Sequence, residues 1–372
     1  MSLVELSPER QQLARVARAY LAPWADGLAA SADGPDEAAV VAGAVALGWV
    51  GLALPERHGG GGGTLGDVAA LYEETGRALC PTALYSAVSG ARLVAAAGSP
   101  QQRADLLPAL CTGEARATIA LAEAGNRRPG SLTTTVEEHG ERLEVVGEKR
   151  FVPDAGGASF LVVVARRPCS ANATLVMVDP GAEGVAVGAT GTFAGDRQFV
   201  VALDRVDVPT GAVLGRLDGG DRPLSAVLDE QAALQAVEMA AGARRALELA
   251  VEHVTARVQF GRPLAAFQAV QHHVADTATL IDAARLAAWR AVWLLERGAE
   301  ATAAVSVAKV AAGRAYRSAT LTAFQLCGGA GYVTEHPLHR YADRAKTASL
   351  TAGTTGEHLA RLSGVLGLGG AS

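Results

Sequence analysis

The stretch Arg257-Val258-Gln259-Phe260-Gly261-Arg262-Pro263-Leu264 carries more chemistry than the alanine-rich sequence on either side of it. It places a guanidinium, an amide and an aromatic ring beside a glycine and a proline that interrupt a long helical pattern. A planar guanidinium binds anionic groups through paired hydrogen bonds, and an aromatic ring packs well against another ring. The stretch therefore predicts contact with a large cofactor that is both anionic and aromatic. The competing interpretation is a structural arginine and a buried phenylalanine at a helix break.

Composition restricts the kind of protein that surrounds this stretch. The 372 residues suffice for two or three compact units, and 49% hydrophobic with 19% charged residues is typical of a folded globular chain. A net charge of -5 without a long basic run argues against nucleic acid as the main partner. No apolar run is long enough to span a bilayer, the N-terminal residues lack a basic signal region, and the four cysteines are isolated. We expect a cytoplasmic protein with no disulfide framework and no metal site.

The first third of the chain has helical periodicity. Ser7 is a plausible capping residue for a first helix, and apolar residues then recur at helical spacing. Further helices are predicted over residues 38–47 and 67–79. In the second of these, Glu73 and Glu74 are expected on the exposed face.

The periodicity changes in the middle of the chain and then returns to helical. Short β-branched runs separated by glycine-rich turns predict a small antiparallel sheet or barrel. These runs are residues 160–165, 174–178 and 199–203. From Leu224 onward, long amphipathic segments and a short last one predict a four-helix bundle. Its many apolar faces predict association with other subunits.

The order of these motifs resembles that of the acyl-CoA dehydrogenase family along nearly the whole chain. The most specific matches are Arg257-Val258-Gln259-Phe260-Gly261 and Gln325-Leu326-Cys327-Gly328-Gly329-Ala330-Gly331-Tyr332. Weaker matches are Pro55 with Gly59-Gly60, Glu73-Glu74-Thr75-Gly76-Arg77, Leu107-Pro108 with Gly113-Glu114, Gly147-Glu148-Lys149, and Gly353-Thr354. The resemblance implies an α+β fold with three domains. They are an N-terminal helical domain (1–115), a middle antiparallel β-barrel or sandwich (116–220) and a C-terminal four-helix bundle (221–372).

The resemblance also implies the cofactor FAD, held between subunits. Arg257 would neutralise the pyrophosphate, Phe260 would pack against the flavin-adenine assembly, and the glycines would let the backbone approach the adenylate. These elements act on the FAD of the neighbouring subunit. The residues assigned to the cofactor in this way are Arg257, Gln259, Phe260, Gln325, Gly328, Gly329 and Thr354.

The family's reaction needs a carboxylate that this chain lacks at its usual position. A glutamate removes the α-proton of an acyl-CoA, and a hydride passes from the β-carbon to the flavin, whose electrons go on to electron-transfer flavoprotein or a similar acceptor. The usual glutamate position is Ala352, and a second known position corresponds to Gln231. Glu230, adjacent to the second position, is the remaining candidate for the catalytic base. The alternative is that Asp229 and Glu230 are acids at a helix N-terminus, where the dipole favours them.

The middle domain departs from the family pattern as well. The strand that carries hydroxyl donors to the flavin corresponds to residues 122–127, where those hydroxyls are absent, and the Trp-Ile-Thr element becomes Phe151-Val152-Pro153. Near the C-terminus the family's Arg-Asp pair reads Asp343-Arg344. Residues that serve a neighbour's FAD are thus present, whereas those that hold the chain's own FAD are altered.

Three hypotheses follow from this division. The chain is a subunit of a hetero-oligomeric acyl-CoA dehydrogenase in lipid metabolism, completing the FAD site of a related subunit. Alternatively it is a self-sufficient homodimeric or homotetrameric flavoenzyme with a relocated base, or a flavin oxidase or monooxygenase. The third hypothesis is a non-enzymatic scaffold that shares only the fold.

Overall fold

The computed structural model describes residues 6–30, 36–125 and 131–368. These residues form two compact units. The first comprises the chain up to Asp36, Thr64–Cys80 and the chain from Asp229 onward; the second comprises Glu37–Gly63 and Pro81–Leu228. The boundaries of the three domains drawn from the sequence stay a prediction.

Helices dominate both ends of the described chain. They are α1 (Pro8–Ala30), α2 (Glu37–Ala46), α3 (Leu65–Arg77), α4 (Ala83–Ala97), α5 (Pro100–Thr112), α6 (Asp221–Ala256), α7 (Gln268–Glu296), α8 (Thr302–Cys327), α9 (Leu338–Ala348) and α10 (Thr355–Val365). The strands are β1 (Ala117–Ala120), β2 (Thr135–His139), β3 (Arg142–Pro153), β4 (Phe160–Arg166), β5 (Ala173–Val178), β6 (Val185–Thr190), β7 (Gln198–Pro209), β8 (Val258–Gln259) and β9 (Arg262–Pro263). The predicted order of helical, β-rich and helical segments is confirmed. No described helix is long and apolar enough to cross a membrane.

The sheet of the second unit contains β1 to β7 in the order β1-β4-β2-β3-β7-β6, with β5 paired to β4. The predicted runs 160–165, 174–178 and 199–203 lie within β4, β5 and β7. Most neighbouring strands pair antiparallel, whereas β1 and β2 both run parallel to β4. Alternate residues of β3 and β7, such as Val145 and Val201, are fully buried, as expected for a sheet with one face against a core.

Helix α3 begins two residues before its predicted start because Thr64 and Asp67 form a capping box. Near its other end, Gly76 packs directly against the backbone of α6. A Cβ atom at Gly76 would lie 2.2 Å from the carbonyl oxygen of Glu238, so only glycine permits this approach. The glycine of this motif therefore sets the distance between α3 and α6.

The expectation that Glu73 and Glu74 are exposed is wrong. Glu74 is 5% exposed, and its carboxylate accepts hydrogen bonds from Arg18 of α1 at 2.7 and 2.8 Å. Glu73 accepts hydrogen bonds from Arg285 at 3.0 Å and from Trp289 Nε1 at 2.8 Å, both on α7. Helices α1 and α7 thus cover the side of α3 that looked like a solvent face in the sequence.

The first C-terminal helix, α6, buries the apolar stripe that the sequence predicts. The α6 stripe formed by Val237, Ala240, Ala243, Leu247, Ala250 and Val254 is buried. Helix α8 packs against α7, α9 and α10, and its small residues leave little space between helices. Thr354 caps α10, because its Oγ1 accepts from the N–H of Glu357 at 3.2 Å while its own N–H donates to Glu357 Oε2 at 2.7 Å.

Candidate functional site

The predicted cofactor-binding stretch after α6 folds as a short hairpin. Strands β8 and β9 pair antiparallel, and Phe260 and Gly261 form the turn with φ of +54° and +81°. Positive φ at both central positions is the pattern of a type I′ turn, where asparagine or aspartate usually precedes glycine. A phenylalanine there costs about 1 kcal/mol in backbone strain, yet its side chain is 88% exposed. The alternative of a buried phenylalanine is wrong, whereas contact of this ring with a cofactor stays a prediction.

The charged groups of the hairpin differ in their surroundings. Arg257 is exposed and forms no ion pair with any residue in the described part of the chain. Arg262 instead lies 4.0 Å from the centre of the Phe267 ring, which in turn contacts Phe260 edge to face at 6.2 Å. Gln259 is exposed beside them. The hairpin therefore presents an exposed guanidinium and an exposed aromatic ring together.

The second predicted segment follows directly at the end of α8. Gln325, Gly328 and Gly329 are all exposed. Gly328 has φ of +57° and ψ of −141°, a conformation open essentially to glycine, and no atom lies within 4 Å of a Cβ built on Gly328 or Gly329. Tyr332 stacks on Phe324 with ring centres 4.5 Å apart. The segment thus offers bare backbone beside an amide and an aromatic pair.

Two histidines flank the predicted cofactor-binding segments. His253 is in the last turn of α6, and the N–H of Arg257 donates to its carbonyl at 2.9 Å. His336 follows the glycine segment. Burial lowers the pKa of His336, and the nearby His253 lowers it further. The last turn of α6 therefore lies near the chain that follows the glycine segment.

Ala352, the usual position of the base, lies in a loop fixed by buried polar side chains. Ala352 has φ of +48°, and its carbonyl accepts a hydrogen bond from His358 Nε2 at 2.9 Å. Lys309, 3% exposed, donates to the carbonyls of Ala348 and Gly353 at 2.8 and 3.2 Å. Burial lowers the pKa of His358, so its ring is neutral at pH 7. The loop has a defined shape, but the methyl group of Ala352 supplies no acid–base chemistry.

Lys309 and His358 were not singled out from the sequence. The signal for Lys309 is a cation flanked by Ala308 and Val310 on the buried side of a helix of small residues. A buried lysine needs hydrogen-bond acceptors, and here the carbonyls of Ala348, at the end of α9, and Gly353 provide them. For His358 we find no comparable sequence signal.

The acids considered as alternative bases are not at a helix N-terminus. Helix α6 begins at Asp221, so Asp229 and Glu230 lie in its third turn, beyond the part where the helix dipole acts. Asp229 forms a bidentate pair with Arg361 of α10, with 2.8 Å between Nη2 and Oδ2. Glu230 is half-buried. The helix-terminus interpretation of these acids is therefore wrong.

The same part of α6 contacts the Ala352 loop. Gln235 lies one turn after Gln231, and its Nε2 donates to Thr351 Oγ1 at 2.5 Å. Thr351 immediately precedes Ala352. The structure thus brings the turn of α6 that follows Gln231 into contact with the loop that carries Ala352.

The end of β3 carries an exposed phenylalanine ring, but the hydroxyl donors of the family pattern are absent there. Phe151 has φ of +53° and is 52% exposed. Pro153 has no N–H, and its carbonyl accepts a hydrogen bond from Thr118 Oγ1 at 2.7 Å. Of the altered strand, Asn126 and Arg127 lie outside the described residues.

Close to this end of the sheet, Glu123 and Lys149 form a buried ion pair at 2.8 Å. The Glu123 carboxylate also accepts hydrogen bonds from the N–H and hydroxyl groups of Thr133 and Thr134. Burial alone would raise the pKa of Glu123, but Lys149 and the threonines together lower it to about 2. A carboxylate held this firmly in its charged form is structural and is no base at neutral pH.

A separate cavity of about 380 Å³ lies in the second unit. It is lined by Ala53, Leu54, Pro55, Gly62, Gly63, Arg92, Ala95 and Ala96. None of the candidate residues lines this cavity. Within the described chain, no group of three or more His, Cys, Asp or Glu side chains is placed to hold a metal ion.

Two domain models of one family match the sequence. The acyl-CoA dehydrogenase N-terminal domain matches residues 7–114, and the acyl-CoA dehydrogenase C-terminal domain matches residues 218–365. The chain belongs to the acyl-CoA dehydrogenase family. Proteins of this family are FAD-dependent oxidoreductases.

Individual acyl-CoA dehydrogenases match over most of their length. The probable acyl-CoA dehydrogenase YngJ of Bacillus subtilis is 30% identical over 83% of this chain and 84% of its own. The mitochondrial short/branched chain specific acyl-CoA dehydrogenase of Bos taurus is 28% identical over 87% of this chain and 77% of its own. A solved structure of a variant of the Tcur3481-Tcur3483 steroid ACAD is similar with a TM-score of 0.86 and 33% identity, covering 98% of this chain and 99% of that one.

The residues of this family member fit one part of FAD better than another. Arg257 is exposed and unpaired within the described chain, and Gly328 leaves open space around its backbone, so both suit an anionic dinucleotide. Pro153, by contrast, has neither a hydroxyl nor an N–H to donate to a flavin. Groups that could bind FAD are thus present at the ends of α6 and α8, whereas fewer are present at the end of β3.

Proposed function

We propose that this chain is one subunit of a hetero-oligomeric acyl-CoA dehydrogenase and completes the FAD site of a partner subunit that carries the base. The observation that carries the proposal is Ala352. A methyl group occupies the base position in a loop of fixed shape, while the Arg257 guanidinium and the Phe260 ring are exposed. These properties favour a role in binding the cofactor over a role in proton transfer.

In this role the residues of the chain bind and orient. Arg257 neutralises pyrophosphate charge through paired hydrogen bonds, and Phe260 packs on an aromatic ring system. Gly328 and Gly329 admit close backbone approach, and the amide of Gln325 supplies both a donor and an acceptor. Bound FAD supplies the acceptor for the hydride from the β-carbon of the acyl-CoA. Removal of the α-proton is left to the partner's carboxylate.

A relative supports the assembly. The solved structure that is 33% identical to this chain is named for a pair, Tcur3481-Tcur3483, and for a steroid ACAD. By analogy we propose a paired assembly and a bulky acyl-CoA substrate. Electron-transfer flavoprotein or a similar acceptor, and a cytoplasmic location, complete the proposal.

Flavin content tests the proposal. The chain is purified alone and after co-expression with an acyl-CoA dehydrogenase-like subunit encoded near its gene, and FAD per subunit is measured by absorbance. We expect little FAD on the chain alone and FAD at half the number of subunits in the complex. Arg257→Ala should weaken FAD binding by the complex about 10- to 100-fold, since a charge-assisted pair is lost.

Arg262→Ala is the matched control, because that guanidinium lies against Phe267, and it should change FAD affinity less than about threefold. Full FAD occupancy of the chain alone, together with acyl-CoA oxidation, would contradict the proposal.

A second candidate function is a self-sufficient flavoenzyme that uses Glu230 as its base. It is favoured by the hydrogen bond from Gln235 to Thr351, which places this part of α6 against the Ala352 loop. Glu230→Gln should then abolish acyl-CoA oxidation by the chain alone, measured as dye reduction. Turnover retained by this variant would exclude Glu230 as the base.

A further inference from the structure

A narrow exposed strip runs along α8, a helix that is otherwise mostly buried. Its members are Val307, Arg314, Arg317, Leu321 and Gln325, all exposed. Their spacing of seven, three, four and four residues places them on one face, as at the seam positions of paired helices. Val307 and Leu321 are 44% and 63% exposed, so the strip combines apolar and cationic side chains. We call these five residues the α8 strip.

The charges of the α8 strip are not balanced within the described chain. Arg314 and Arg317 form no ion pair and no side-chain hydrogen bond there, whereas other arginines of the same unit, such as Arg244 and Arg361, are paired with carboxylates. Helix α8 itself contains no aspartate or glutamate. In a chain of net charge -5, this strip is a local surplus of positive charge.

This surplus limits what can pair with the strip. Two copies of α8, packed parallel or antiparallel along the strip, place no carboxylate opposite either arginine, because the helix has none. Exposed apolar residues in the strip nevertheless favour burial. The strip also ends at Gln325, the start of the segment predicted to contact FAD. The face therefore suits a helix that is apolar at the same spacing and acidic opposite the arginines.

We propose that the α8 strip docks against the corresponding helix of a related subunit that carries carboxylates facing Arg314 and Arg317. The two arginines disfavour pairing of the chain with its own copy and favour the mixed pair. Apolar contacts supply most of the affinity, and the charges determine the specificity for the partner subunit. The inference rests on the proposed function, since it names the chemistry of the partner that the flavin site requires.

A charge-reversed copy of the chain serves as the probe. Wild type and the Arg314→Glu/Arg317→Glu variant, carrying tags of different mass, are mixed in equal amounts without added FAD and measured by native mass spectrometry. We expect mixed dimers in about fivefold excess over random mixing at roughly 50 mM salt, because opposite charges then face each other. The excess should fall at about 0.5 M NaCl, since these exposed charges are screened.

The matched control is Arg290→Glu/Arg297→Glu, which reverses two exposed arginines outside the strip, one on α7 and one directly after it, and should mix at random with wild type. Random mixing of the Arg314→Glu/Arg317→Glu variant, or the absence of mixed dimers, overturns the proposal. If that variant does not fold, Arg314→Gln/Arg317→Gln should raise self-association about fivefold by removing like-charge repulsion. Unchanged self-association overturns the proposal equally.

The readout separates this inference from the proposed function. Flavin content is not measured in the mixing experiment, so a chain that binds FAD alone refutes the proposed function without altering the dimer ratio. Conversely, a complex that binds FAD normally while the charge variants mix at random leaves the proposed function standing and removes only the role of Arg314 and Arg317.

Discussion

Phe151, Phe260 and Ala352 share a left-handed backbone conformation although none of them is glycine. Each lies where the family resemblance assigns a cofactor contact or the base. Such conformations cost on the order of 1–2 kcal/mol and persist only where the surrounding structure imposes them. In the Ala352 loop, His358 and Lys309 impose it through loop carbonyls. The backbone of the site is thus defined even where its side-chain chemistry is absent.

The strained turn of the hairpin gives a test at a single residue. Phe260→Asn should stabilise the protein by about 0.5–1 kcal/mol, because asparagine favours the first central position of a type I′ turn. It should also lower FAD retention by the complex, because the exposed ring is lost. Urea unfolding and flavin absorbance measure the two effects. A variant that keeps full FAD affinity would show that the ring has no binding role.

The buried pair of Glu123 and Lys149 predicts a large effect from a small change. Glu123→Gln should lower the free energy of unfolding by about 3–5 kcal/mol, because it leaves the Lys149 ammonium buried without its counter-charge. Glu123→Gln with Lys149→Met removes both charges and should recover most of the loss. A loss below about 1 kcal/mol in the single variant, measured by urea unfolding, would contradict this account.

The ion pair of Glu123 and Lys149 also makes the free energy of unfolding depend on pH. The pKa of Glu123 is about 2 in the folded protein, below the roughly 4.3 of an unfolded chain. A lowered folded pKa stabilises the fold above the unfolded pKa, and that stabilisation is lost as the pH falls through the folded pKa. The difference in unfolding free energy between wild type and Glu123→Gln should therefore shrink between about pH 5 and pH 2. A constant difference across that range would argue against the ion pair.

Among the elements, the contact between α3 and α6 depends on one glycine. Gly76→Ala should destabilise the protein by about 2–3 kcal/mol, because the added methyl would meet the Glu238 carbonyl at 2.2 Å. Gly364→Ala, in α10 with no atom within 4 Å of its Cβ, is the control and should be neutral or stabilising. Thermal unfolding of the two variants tests the packing. Equal melting temperatures would show that α3 shifts without cost.

Helix α8 illustrates how one element serves two purposes. Its buried face packs on α7, α9 and α10 and carries Lys309 to the Ala352 loop. Its exposed face is the α8 strip, which leads to the glycine segment. The small residues of α8 allow neighbouring helices to pack closely around it. Only the narrow α8 strip then remains exposed.

For the molecule as a whole, the proposed function makes cofactor and partner stabilise the chain together. FAD should raise the melting temperature of the complex by about 3 °C at roughly a hundredfold excess over its Kd, because ligands that bind only the folded state stabilise it. The chain alone should show no comparable shift. Differential scanning fluorimetry with and without partner checks this. An equal shift in both samples would favour the self-sufficient flavoenzyme.

The family, the order of helical and β segments and the motifs at Arg257 and Gln325 could all be predicted from the amino-acid sequence, because they depend on local periodicity and on short runs of special residues. The absence of a carboxylate at position 352 was equally plain from the residue type. The folded chain was needed to show that Glu74 is buried, that Asp229 pairs with Arg361 and that Lys309 and His358 fix the Ala352 loop. These outcomes depend on which distant segment covers a given face. Periodicity within one segment cannot specify that partner.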